Sequence, residues 1–101
     1  MTSPHYYAVI FTSLRRENSP GYEEMARAME ALARKQPGFL GMEHARQELG
    51  ITVSYWENRE AIAAWKRHAT HQFAQERGKE DWYAWYRIRV CRVERDYEFK
   101  S

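Results

Sequence analysis

The chain has 101 residues with sixteen Lys and Arg against fourteen Asp and Glu, a net charge of +2, and 44% hydrophobic content. That length makes one domain, residues 1–101, able to fold without metal or disulfide support. The interspersed, nearly balanced charges argue against a nucleic-acid partner, which needs a basic stripe to replace phosphate counterions. The single cysteine, Cys91, excludes an intrachain disulfide and a Cys-based zinc site.

The unusual feature is the 15% aromatic content: 4 Trp, 7 Tyr and 4 Phe in an otherwise polar chain. So many rings must share a small core, line a pocket or cover an interface. The longest apolar run, Tyr6 to Phe11, is far short of the roughly 18 residues that span a bilayer. No basic-then-apolar leader opens the chain, so a cytoplasmic protein without a membrane partner is expected.

In chain order, Tyr6 to Thr12 is β-branched and aromatic and reads as a strand. Both its faces, Tyr7/Val9/Phe11 and Tyr6/Ala8/Ile10, are apolar, which predicts a central strand buried on both sides. Ser19 then reads as an N-cap with Pro20 at the first helical position. Tyr22, Met25, Ala26, Met29, Leu32 and Ala33 recur at helical spacing until Pro37-Gly38 ends the helix. Phe39 to Glu48 and Ile51 to Glu57 read as a hairpin turning at Leu49-Gly50.

Asn58 is placed to cap a second helix from about Arg59 to Glu76, and Gly78 to terminate it. The aromatic segment Asp81 to Tyr86 leads into a last strand, Tyr86 to Val93, with Tyr86/Ile88/Val90 on one face and Arg87/Arg89/Cys91 on the other. Cys91, between Val90 and Val93, reads as a buried, inert thiol. Arg87, Arg89, Arg92 and Arg95, next to Glu94 and Asp96, read as a solvated or salt-bridged strand face. A tail from Arg95 to Ser101 is expected to add a short edge strand.

The order is β-α-β-β-α-β, the ferredoxin-like arrangement of an α+β fold, with both helices on one face of a four-stranded antiparallel sheet. The other face needs a cover if it is apolar, and stacking on a second copy is the economical one. RNA-recognition modules share this topology, but the third strand, Gly50 to Trp56, lacks their basic start and their paired aromatics.

The second helix carries the densest set of functional side chains: Trp65, His68, His71, Gln72 and Gln75. At about 100° per residue, His68, His71 and Gln75 share one stripe and Trp65 lies beside it. Ile62, Ala69 and Phe73 form the apolar flank that should face the sheet. His68-x-x-His71 has a permitted metal spacing but no further ligand nearby, so no metal is expected. Either histidine has an intrinsic pKa suited to a general base, and both also read as solvated helix residues.

The block Pro37-Gly38-Phe39 followed by Ile51 to Lys66 resembles the antibiotic biosynthesis monooxygenase (ABM) family. Trp82-Tyr83 to Tyr86, with Arg89 to Arg95, resembles its bacterial branch related to haem-degrading monooxygenases. The resemblance runs from about Tyr6 to Phe99 and implies a homodimeric α+β barrel with a pocket between sheet and helices. Characterised members oxygenate aromatic hydroquinones without metal or flavin, or degrade haem.

By this resemblance Trp65, His68 and His71 are the catalytic candidates, and Phe11, Phe73, Gln75 and Tyr86 line the substrate pocket. It implies a small aromatic, quinol-like ligand and no cofactor, with haem as the alternative and a non-enzymatic dimeric binding or stress-response module as a third reading. Haem-degrading members resemble one another in a first-strand Asn, a second-helix Trp and an iron-ligating His ten residues on. Trp65 matches the Trp, but Gln75 stands at the His and Thr12 or Ser13 at the Asn.

Overall fold

The computed structural model describes residues 5–75 and 82–101, with the helical backbone alone for residues 71–75. The elements are β1 (Tyr6–Arg15), α1 (Tyr22–Arg34), β2 (Phe39–Arg46), β3 (Leu49–Trp56), α2 (Arg59–Gln75) and β4 (Tyr83–Val93). All pairings are antiparallel and the sheet order is β2-β3-β1-β4. This is the expected ferredoxin-like fold, with β1 central because it is apolar on both faces.

Several boundaries differ from the expectation, each for a local reason. Ser19 does not cap α1: its Oγ accepts from Arg15 Nη2 at 2.8 Å, and Gly21, at φ 83°, precedes the helix instead. The hairpin turns at Gln47-Glu48, not at Leu49-Gly50, because Gly50 stays in the ladder, paired with Arg46 on one side and Ser13 on the other. A Cβ on Gly50 would overlap the Arg46 guanidinium, which crosses β3 at that point to donate to Ser13 Oγ. The glycine therefore serves a close approach rather than a turn.

Asn58 caps α2 as expected, its Oδ1 accepting from the Ala61 N–H at 2.8 Å. The last strand starts three residues early, at Tyr83, which pairs with Arg15 beyond a register shift after Leu14. The tail forms no strand: residues 94–101 have no regular secondary structure and are exposed. Cys91 is exposed, not buried, because strand alternation puts it beside Arg87 and Arg89 on the face the helices leave open. The expected Gly78 terminator lies outside the described residues.

Register assigns the two faces. Tyr7, Val9, Phe11 and Ser13 of β1 share the helix side with Thr52, Ser54 and Trp56 of β3 and Tyr86, Ile88 and Val90 of β4. Tyr6, Ala8, Ile10 and Leu14 share the open side with Leu49, Ile51, Val53 and Tyr55, and with Trp85, Arg87, Arg89 and Cys91. On β3 the polar side thus faces the helices and the apolar side faces away. No described helix is long and apolar enough to cross a membrane.

Candidate functional site

Two aromatic groups stand at opposite ends of the helix side. At one end Trp56, fully buried, stacks on Trp65 of α2 with ring centroids 6.0 Å apart and planes 23° from parallel. Phe39 meets Trp56 edge-on at 5.4 Å, and the indole N–H of Trp56 donates to Ser54 Oγ at 2.9 Å. That hydrogen bond lets a Trp with a polar N–H sit in the core without an unpaired donor.

At the other end Phe11 packs on Tyr86 at 5.3 Å and on Tyr83 at 5.4 Å, and Tyr83 meets Tyr22 of α1 at 5.7 Å. Met25 and Trp82 complete this cluster, with the Trp82 indole donating to the Pro20 carbonyl at 3.0 Å. Trp82 and Tyr83, whose role was not assignable from sequence, are therefore the core beneath α1, whereas Trp85 lies exposed on the open side.

Cations surround this second group. Arg15 lies 4.0 Å from the centre of the Tyr22 ring and Arg46 lies 5.5 Å from it. The Arg46 Nη1 is buried without a hydrogen-bond partner among the described residues, so its charge is balanced by ring faces and Ser13. Burial holds the Tyr83 phenol well above its ordinary pKa, and the adjoining Tyr22 hydroxyl adds to the shift.

On the open side the hydrogen bond from Tyr55 to Glu43 at 2.7 Å, with burial, pushes Tyr55 up to about 12. Both phenols stay protonated in the fold above pH 10, the value at which the unfolded chain begins to release them. The folded state then binds more protons than the unfolded one, so stability falls as pH rises past 10. Urea midpoints at about pH 9 and pH 11 should show that fall, and Tyr83→Phe should flatten it. An equal fall in the variant would refute the assignment.

Between the aromatic groups runs a floor about 13 Å long, the four-residue rise from Tyr7 to Phe11. It is built from Val9, Ser54 and Val90 in one row and Phe11, Thr52 and Ile88 in the next. Ile88 and Val90 are 49% and 52% exposed although they lie on the side that carries the helices. That exposure belongs to β4, the edge strand: Ser54 in the first row is buried, and Val9, Thr52 and Phe11 are half-buried.

Phe11 and Tyr86 are in direct contact, whereas Trp65 belongs to the other aromatic group. His68 is exposed on α2, three residues after Trp65. The side chains of His71, Phe73 and Gln75 lie outside the described residues. Among the described residues no three His, Cys, Asp or Glu side chains gather into a metal site.

Sequence reasoning missed Trp56 as the ring beneath Trp65. Its neighbours on that side of β3, Thr52 and Ser54, are polar and disguise it as the outward face. Arg46 was also missed; the signal available was a glycine inside a strand pattern, Gly50, which marks a close approach.

With this geometry established, comparison with known proteins is decisive on family. The antibiotic biosynthesis monooxygenase family matches residues 5–77. The chain belongs to that family. A curated relative, the uncharacterized protein YqjZ of Bacillus subtilis (strain 168), is 50% identical over 100 residues, covering 97% of this chain and 88% of YqjZ.

Among solved structures, a MhuD variant with two manganese protoporphyrin IX molecules per active site is similar at TM-score 0.69 and 24% identity, covering 92% of this chain and 99% of MhuD. SnoaB, a cofactor-independent oxygenase from Streptomyces nogalater, matches at TM-score 0.64 and 11% identity, covering 98% and 100%. At such identities these two similarities establish the shared fold. Proteins of this fold thus include both a binder of manganese protoporphyrin IX and a cofactor-independent oxygenase.

Proposed function

We propose that this ABM protein binds a small aromatic, quinol-like compound on the apolar floor between its two aromatic groups and oxygenates it without a cofactor. The observation that carries the reading is the exposure of Ile88 and Val90 on the helix side of the sheet, flanked by rings at both ends. Apolar surface walled by aromatics and bordered by few polar groups is what a flat, electron-rich ligand needs. A two-ring phenol matches a floor about 13 Å long.

The chemistry needs only a base and a dry surface. A phenol that loses its proton can reduce dioxygen itself: the ring C–H para to the hydroxyl becomes C=O, and the second oxygen atom leaves as water. The substrate supplies all the electrons, so the product is a quinone and no outside reductant enters. Trp65, held flat by Trp56, forms the wall against which the substrate stacks. His68, exposed one turn along α2, or His71 on the following turn, takes the proton. Phe11 and Tyr86 close the far end of the pocket, with Phe73 and Gln75 its candidate walls on α2.

Haem does not suit these residues. Ser13 is fully buried and engaged by Arg46, and Thr12 lies on the open side, so neither stands where a first-strand Asn would meet a porphyrin.

The reading includes a homodimer. The open side presents Leu49, Ile51, Val53 and Tyr55 to solvent in the single chain, and stacking on a second copy buries them.

Oxygen consumption and quinone formation with a panel of hydroxylated naphthalenes that carry hydrogen para to the hydroxyl test the activity. Loss of the base should lower kcat by roughly 100-fold or more in His68→Ala or His71→Ala. Trp65→Ala should raise KM by about tenfold, the worth of one aromatic stack. Unchanged turnover in both histidine variants would remove their assigned role. A haemin titration should show no Soret shift at micromolar protein, and a clear shift would replace this reading with the haem one.

A further inference from the structure

The tail ends in two rings that its own subunit leaves exposed. After β4 the residues alternate Asp96, Tyr97, Glu98, Phe99, Lys100, charged against aromatic, the period of a half-buried extended strand. Tyr97 and Phe99 are 81% and 88% exposed, and Trp85, at 41%, is the most exposed ring among the other described aromatics. The base of the tail is pinned, because the Tyr6 hydroxyl donates to Asp96 on the open side of the sheet, where Tyr6 also meets Tyr55 edge-on. The tail thus leaves the body across one end of the open face.

The opposite end of that face carries an apolar patch. Leu49, Leu14 and Trp85 lie directly abreast across β3, β1 and β4, with Ile51 the next open-side residue along β3. These four are 39% to 45% exposed. Beside them on β4 stand Arg87 and Arg89, opposite in sign to Asp96 and Glu98 of the tail.

Reach decides which tail can cover this patch. From Tyr6 to Leu14 is eight residues of β1, about 26 Å. From Asp96 to Phe99 is three residues, about 10 Å of fully extended chain. A subunit's own tail falls short even with a ring's length added. If two open faces stack about a twofold axis that crosses the strands, the tail end of each copy lies over the patch end of the other.

We propose that residues 96–101 are an exchanged arm: Tyr97 and Phe99 of one copy cover the Leu14–Leu49–Ile51–Trp85 patch of its partner. The arm sets the orientation of the dimer, because only the crossing arrangement joins arm to patch and brings Asp96 and Glu98, set against the single Lys100, to Arg87 and Arg89. This rests on the stacked dimer proposed above and adds its orientation and its anchoring segment.

Two measurements test it and separate its failure from that of the dimer. By sedimentation equilibrium, Tyr97→Ser/Phe99→Ser should weaken self-association at least tenfold while far-UV circular dichroism stays unchanged, and Trp85→Ser should weaken it similarly. In a Cys91→Ser background, Phe99→Cys chains mixed with Leu49→Cys chains should oxidise to a covalent dimer that neither variant forms alone. A wild-type dimer whose affinity ignores the tail substitutions, and which gives no mixed cross-link, overturns the arm and leaves the stacked dimer standing. A wild-type monomer at tens of micromolar overturns both.

Discussion

Trp56→Ala is expected to cost about 3–5 kcal/mol of unfolding free energy, the range for deleting a buried Trp. The ring is fully buried, touches Phe39 on one side and Trp65 on the other, and its indole hydrogen is satisfied by Ser54. Against a total of about 5–15 kcal/mol for a domain, that loss should lower Tm by more than about 10 °C. Trp65→Ala makes the informative contrast. Trp65 is only half-buried, so it should cost about 1–2 kcal/mol while removing the proposed ligand-stacking wall. Urea denaturation of the two variants side by side checks the pair. Equal costs would mean that Trp65 is a core residue and not a pocket wall, and the proposed site would lose its best-placed side chain.

Gly38→Ala should be nearly as damaging although it adds a single methyl group. Gly38 sits at φ 84°, where an L side chain costs about 1–2 kcal/mol. The new Cβ would also stand 2.7 Å from the Cβ of Ala61 in the first turn of α2. Relieving that overlap pushes α2 away from the β2 entry, at a further cost of about 1–3 kcal/mol. The two contributions are separable. Gly38→Ala/Ala61→Gly removes the overlap and should recover that second part alone, leaving the backbone cost. A double variant no better than Gly38→Ala would place the whole effect in the backbone. Because α2 carries Trp65 and His68, Gly38→Ala should also reduce turnover beyond what the unfolded fraction explains.

Much of the fold was legible before any coordinates. The alternation of Ile51 to Trp56, the Asn58 cap and the helical spacing of Tyr22 to Ala33 are local signals, and each produced the expected element. The misplaced boundaries share one cause, since residues that favour turns and caps in isolation had tertiary duties. Ser19 is held by Arg15, and Gly50 lies beneath Arg46. Local propensity, worth about 1 kcal/mol, yields to such contacts.

The site was legible only in part. Phe11 and Tyr86 meet because strand register puts both on the helix side of the sheet. That Trp65 rests on Trp56, about 13 Å along the sheet from that pair, needed the register of β1 against β3. Strand alternation names two faces but not which of them the helices cover. On β3 the answer ran against hydropathy, with Thr52, Ser54 and Trp56 inward and Ile51, Val53 and Tyr55 outward.

By itself, then, the amino-acid order determined the element sequence, the family and the abundance of rings, because these depend on short-range patterning and composition. Only the tertiary structure decided how the rings divide. One set packs beneath α1, one supports Trp65, and Tyr97 and Phe99 stay exposed on the tail. The physical reason is that a side chain's burial is a property of the surface opposite it, and that surface comes from residues distant in the chain.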